Sequence, residues 1–189
     1  MELSFEPLTP DSWEQFELLF GEKGGCAGCW CMYWRLTRKE FEAGSGDANR
    51  KAMKAIVEGG SVPGIIAFDG RTPAGWCAVA PRSEYSALER SRILKPVDDK
   101  EVWSVSCFFI DRKYRGKGVA SALLKAAVEH AAHRGAKIVE GYPVEPKDGK
   151  RYPPAFAWHG VSEIFRRAGF REVARRSETR PIMRIEIQL

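Results

Sequence analysis

The chain has 189 residues, 44% of them hydrophobic and 29% charged, with 30 basic against 25 acidic residues for a net charge of +5. That length and balance fit one soluble globular domain spanning 1–189, and no apolar stretch approaches the roughly 20 residues that cross a bilayer. The basic excess is small and scattered. Its densest part, Arg166-Arg167 to Arg180, is interrupted by Ala, Gly, Phe and Glu and reads as a solvated face, so neither a nucleic acid nor a membrane is expected as partner. The acidic, alternating N-terminus is no signal peptide, and the odd count of five cysteines argues against a disulfide framework; a cytoplasmic location is the default expectation.

In chain order, Leu3-Ser4-Phe5 alternates as a short strand. Thr9, Pro10 and Asp11 start a helix whose apolar side is Trp13, Phe16, Leu19 and Phe20. A glycine- and cysteine-rich segment follows over 24–31. Thr37 and Glu40 then have capping-box spacing for a second helix, and Asp47 caps a third carrying Met53, Ile56 and Val57. Ile65–Phe68 and Gly75–Ala80 read as a hairpin joined through Asp69-Gly70-Arg71-Thr72-Pro73. After a partly helical stretch with Tyr85, Leu88 and Ile93 comes a long central strand, Glu101 to Ile110.

The segment Tyr114-Arg115-Gly116-Lys117-Gly118-Val119-Ala120 comes next, and it opens a helix with Leu123, Leu124, Ala127, Val128 and Ala131 at helical spacing. Strand, glycine turn and helix in that order present unpaired backbone N–H groups and a partial positive charge, which suits a phosphate. Arg115 and Lys117 add cationic side chains beside them. A strand over 137–142, a polar loop from Pro143 to Pro154, a helix over 160–167 and strands over 170–174 and 182–189 complete the chain. No internal repeat is visible.

Arg115, Gly118 and Ala120 match the Arg/Gln-x-x-Gly-x-Gly/Ala loop of a known family, with Tyr114 ahead, Leu123-Leu124 behind and Ala168-Gly169-Phe170 as a later turn. On these residues the chain resembles the GNAT superfamily of acetyl-coenzyme A-dependent N-acetyltransferases along nearly its whole length. The resemblance implies an α/β fold with flanking helices and a mixed central sheet, in which two parallel strands, 101–110 and 137–142, splay apart to admit the thioester. It implies that the backbone of Phe108, Phe109 and Ile110 pairs with the acetyl carbonyl and pantetheine arm. The N–H groups of Arg115, Gly116, Lys117, Gly118, Val119 and Ala120 would hold the pyrophosphate. The activity implied is direct transfer of acetyl from acetyl-coenzyme A to a primary amine of a small molecule or peptide, without a covalent enzyme intermediate and without a metal.

A thioester is already activated, so the remaining work is to deliver a neutral amine, stabilise the oxyanion and release the thiolate. Glu140 on the strand bordering the splay is the expected base, with Glu101, Glu145 and His159 as further candidates. The family's usual tyrosine acid falls at Phe165, which has no proton to give, so Tyr142 or Tyr152 is expected in its place. Phe165 also favours an alternative function, an acyl-coenzyme A-binding sensor with little transfer. Trp30, Tyr33 and Trp34 would form an aromatic floor for the acceptor, Arg35 would meet an acidic group on it, and Ser106 would position it or a water. Cys26, Cys29 and Cys31 have thiols that suit zinc, but no fourth ligand has convincing spacing, so no metal is expected. Edge pairing of the C-terminal strand would offer a route to a homodimer.

Overall fold

The computed structural model describes residues 1–146 and 158–187. Seven strands form one sheet: β1 (Leu3–Pro7), β2 (Gly64–Asp69), β3 (Thr72–Pro81), β4 (Trp103–Ile110), β5 (Ile138–Gly141), β6 (Arg171–Arg175) and β7 (Pro181–Glu186). Their order is β1-β2-β3-β4-β5-β7-β6. All neighbours are antiparallel except β4 and β5, whose parallel pairing needs a crossover helix. That helix is α5 (Val119–His133), whose Val119, Leu123, Leu124, Ala127 and Ala131 are buried against one sheet face. On the opposite face α1 (Trp13–Phe20) and α3 (Asp47–Glu58) bury Phe16, Phe20, Met53 and Val57 against Ile66, Phe68, Trp76 and Ala78. The period-2 alternation of β2 and β3 sorts their side chains between the two layers.

Local signals explain the short elements. Helix α2 (Arg38–Ala43) has no buried residue and rests on its capping box: the Thr37 hydroxyl accepts from Glu40 N–H at 3.2 Å, and Glu40 accepts from Thr37 N–H at 2.8 Å. Helix α3 is capped by Gly46, not by Asp47; Asp47 is its first residue and pairs with Lys51 at 2.6 Å. Helices α4 (Ser86–Glu89) and α6 (Ser162–Arg167) complete the set. The C-terminal strand is not an edge. Strand β7 lies between β5 and β6, which leaves β6 and β1 outermost and removes the basis for pairing through 182–187. Leu189 lies outside the described residues.

One irregularity positions the site. Adjacent residues Ala78 and Val79 of β3 pair with Cys107 and Val105 of β4, so Ser106 is an extra residue, a β-bulge. The parallel register runs Trp103↔Val139, Ser104↔Glu140, Val105↔Gly141 and ends there. A bulge bends its strand and increases local twist. From Ser106 on, β4 leaves β5, which instead leads to a bridge between Val144 and Val161. Phe165, fully buried on α6, fills the floor beneath the divergence against Phe108 and Phe170. Gly141 is needed for that fit, since a Cβ there would overlap the Phe165 ring. Gly141→Ala should therefore destabilise the fold by about 1–3 kcal/mol, and Phe165→Leu in the same chain should recover part of it. Denaturant titration checks both; a single variant as stable as the parent would contradict this packing.

Candidate active site

The gap between β4 and β5 is bounded by backbone. Phe108 N–H donates to the Trp158 carbonyl at 2.5 Å, and the Ile110 carbonyl accepts from Arg115 Nε at 3.0 Å. The main-chain groups of Phe108 and Ile110 thus face the gap, with Trp158 lying across it. Beyond Ile110, Asp111 closes a single turn by accepting from Lys113 N–H at 2.8 Å. Gly116 and Gly118 follow with φ of 73° and 83°, and a Cβ on either would meet open space. Backbone conformation, not crowding, calls for glycine here. The loop delivers the first turn of α5 to a groove of about 670 Å³, lined by the 108–110 edge, by Tyr114 to Gly116 and Gly118 to Ala120 and, opposite, by Trp158, Gly160 and Ile164. Its volume and its free helix N-terminus fit a phosphorylated ligand.

The groove meets a second pocket of about 230 Å³, with which it shares Cys26, Phe108, Phe109 and Trp158. Phe20, Tyr33, Trp34, Phe41, Phe109 and Trp158 furnish most of its wall. Cys26, Cys29, Cys31 and Cys107 supply much of the rest. The segment wraps tightly there: Ala27, Trp30 and Cys31 have φ of 52°, 42° and 61°. Cys31 accepts a hydrogen bond from Trp76 Nε1 at 3.3 Å, and its thiol is pulled below its ordinary range by the neighbouring Cys107 thiol, against the effect of burial. All five thiols are free, and among the described residues no cluster of His, Cys, Asp or Glu is arranged to hold a metal.

Beneath the splay, on the α4 side, lies a buried polar network. Glu140, fully buried, accepts from Arg82 Nη1 at 3.0 Å and Tyr142 hydroxyl at 2.7 Å on one oxygen, and from Arg184 Nε at 2.6 Å on the other. The Tyr142 hydroxyl also accepts from Arg82 Nη1 at 2.6 Å and lies 2.7 Å from the Ser104 hydroxyl. Arg82 and Arg184 continue outward to Glu89 and Asp98 at 2.8 and 2.7 Å. Burial, reinforced by the Glu140 charge, pushes the Tyr142 phenol well above its ordinary range.

The sequence pattern of the Acetyltransferase (GNAT) family matches residues 29–146. The chain belongs to this family. An uncharacterized N-acetyltransferase of Methanocaldococcus jannaschii is 34% identical over 77 residues, which cover 40% of this chain and only 29% of that protein. A GNAT-family acetyltransferase from Listeria monocytogenes superimposes with a TM-score of 0.60 at 9% identity, covering 99% of this chain and 96% of that one. The PaiA N-acetyltransferase of Thermoplasma acidophilum, solved with coenzyme A, gives 0.53 at 12% identity, over 99% and 100%. At such identities the likeness is one of fold: the mixed sheet and flanking helices are those of GNAT proteins. No helix among the described residues is long and apolar enough to cross a membrane.

Within this GNAT chain, Phe108 to Ile110 and most of the glycine loop come together around the groove. Lys117 does not line it; its ammonium sits 5.7 Å from the Tyr114 ring. Tyr33 and Trp34 line the aromatic pocket, but Trp30 is core, stacked on Phe20 with 5.7 Å between ring centroids. Arg35 also departs from expectation. Its guanidinium is buried, paired through Nη1 with Glu84 at 2.7 Å and placed over the Tyr85 ring at 4.6 Å, and it does not line the aromatic pocket. Ser106 is buried at the bulge beside Tyr85, outside the pocket wall.

The acid–base expectations change most. Both oxygens of Glu140, the expected base, accept from guanidinium groups, and Tyr142, expected as an acid, has its donor and both acceptor positions engaged. Glu145 is held at about 2, chiefly by its bond to Arg166. Glu101 precedes Phe108 by seven residues of extended chain, roughly 23 Å. His159 is buried beside Trp158, with ring centroids 3.4 Å apart, and burial holds its imidazole well below the ordinary range, assisted by Arg180. Tyr152 lies outside the described residues. Arg82 and Arg184 escaped the sequence reading; Arg184 between Met183 and Ile185, a charge in an apolar strand, was the available signal.

Removing one member of a buried ion-pair network leaves the others unmatched and costs about 3–5 kcal/mol. Glu140→Gln should lower unfolding free energy by about that amount. Full stability with loss of turnover alone would instead mark Glu140 as a base, and the two outcomes separate in one denaturant titration combined with one rate measurement.

Proposed function

We propose that residues 1–189 act as one domain that transfers acetyl from acetyl-coenzyme A directly to a primary amine of a small molecule or peptide. The observation that carries this reading is the junction of two cavities at Phe108 and Trp158. One suits the donor; the other opens onto the place where its thioester would lie.

In this proposal the pyrophosphate rests on the N–H groups of the 115–120 turn, with Arg115 and Lys117 supplying positive charge around it. The pantetheine arm follows the free edge of β4. Its thioester carbonyl takes the Phe108 N–H, replacing the Trp158 carbonyl, so a backbone donor is aimed at the oxygen where negative charge develops. The amine attacks from the aromatic pocket, and no enzyme nucleophile takes part. Arg82, Glu140, Tyr142 and Arg184 have a positioning role: they tie β5 to β7 and to the 82–94 segment, and so fix the point from which β4 departs. Phe165 leaves the thiolate to be protonated by solvent or by the departing amine proton.

Phe165 also supports a second reading, a sensor that binds acyl-coenzyme A without efficient transfer. Thiol release measured with and without a panel of amines separates the two. Amine-dependent, multiple-turnover release of coenzyme A is expected; tight binding by calorimetry without any such release would favour the sensor. Gly118→Val, which forces a β-branched residue to a φ of 83°, should weaken acetyl-coenzyme A binding about tenfold or more, and unchanged affinity would count against the pyrophosphate site.

A further inference from the structure

The acceptor pocket specifies a charge state. Among its described lining residues there is no carboxylate, lysine or arginine, only aromatic rings, thiols and Ala27. An ammonium entering would lose its hydration with no carboxylate in exchange. A desolvated cation over an aromatic face recovers about 2 kcal/mol or more, which offsets only part of the several kcal/mol for desolvating an ion. An ammonium also has no lone pair and must lose a proton before it can attack. The carboxylates and imidazole expected from the sequence are poorly placed to take that proton, and the lining thiol of Cys31, pulled below its ordinary range, is buried and already accepts from Trp76 Nε1. Glu140 is clamped by two guanidinium groups, Glu145 is held at about 2, and His159 is kept neutral by burial beside Arg180.

The volume sets a second limit. An apolar cavity of about 150 Å³ accepts benzene. At about 230 Å³ this pocket has room for one substituted ring, and its flat walls favour such a ring over a polyamine or a peptide strand.

We propose that the acceptor is a weakly basic, single-ring aromatic amine, neutral at physiological pH because its nitrogen lone pair is delocalised into the ring. This rests on the transferase reading above and narrows it. The step balances without a strong base. The amine nitrogen forms a bond to the thioester carbonyl carbon, the carbon–sulfur bond breaks with its electron pair on sulfur, and one N–H proton passes to the thiolate. The products are an N-aryl acetamide and free coenzyme A. Attack lowers the basicity of an already weak amine, so that proton leaves readily.

Two isomeric probes isolate charge from size: 4-methylaniline, neutral at pH 7, and benzylamine, an ammonium at pH 7. With saturating acetyl-coenzyme A, kcat/KM for 4-methylaniline should exceed that for benzylamine by about tenfold or more. Phe41→Leu, on the pocket wall, should raise KM for 4-methylaniline about tenfold while leaving acetyl-coenzyme A affinity, read by calorimetry, unchanged. Preference for benzylamine, or turnover of spermidine or a peptide N-terminus but not of 4-methylaniline, would overturn the proposed acceptor class and leave the transferase reading standing. Binding of acetyl-coenzyme A with turnover of no amine would overturn both.

Discussion

The structure depends on one departure from regular pairing: at Ser106, strand β4 carries one residue more than its neighbour β3. Ahead of the bulge, β4 and β5 share a parallel ladder; past it, the edge of β4 at Phe108 and Ile110 turns toward empty groove and the Trp158 carbonyl. A regular strand would have satisfied those groups within the sheet and left no groove beside them. Buried main-chain groups require partners, and Phe108 N–H finds one in the Trp158 carbonyl. The bulge also turns Cys107 toward the α1 side, where it joins the wall of the aromatic pocket.

Such an opening in the middle of a sheet weakens cohesion between its halves, and the buried charges compensate on the β5 side. Glu140 on β5 lies opposite Arg184 on β7, and Arg82 reaches both Glu140 and Tyr142 from beyond the end of β3. These bonds span three separate segments of chain. Their cost in desolvation is large, and apolar packing would stabilise the fold at least as well. What the ions add is direction: Arg82 meets Glu140 and the Tyr142 phenol and Arg184 meets Glu140 and Asp98, each in a defined geometry that helps to fix the angle at which the strands part.

Much of this was legible in the sequence. The glycine loop announced itself because φ above zero and a helix start both leave local signatures at Gly116 and Gly118. The order of elements followed from periodicity, and the Thr37–Glu40 box marked its helix correctly. Long-range pairing was not legible. Glu140 among apolar neighbours reads as a candidate base until Arg82 and Arg184, 58 and 44 residues away, are brought beside it. Arg35 and Trp30 sit next to Tyr33 and Trp34 in sequence, yet the positive φ at Trp30 and Cys31 turns the chain so that only the latter pair faces the pocket. Phe20, Phe41 and Trp158 reach the same wall from three distant segments, which no local pattern encodes.

The central claim is that the gap opened at Ser106 receives the donor thioester, and that Phe108 N–H changes partner when it does. A crystal structure with acetyl-coenzyme A tests it directly. The account predicts the thioester carbonyl within hydrogen-bonding distance of Phe108 N, the Trp158 carbonyl displaced, and the pyrophosphate on the 115–120 turn. Coenzyme bound elsewhere, or bound with the bond from Phe108 to Trp158 intact, would contradict it.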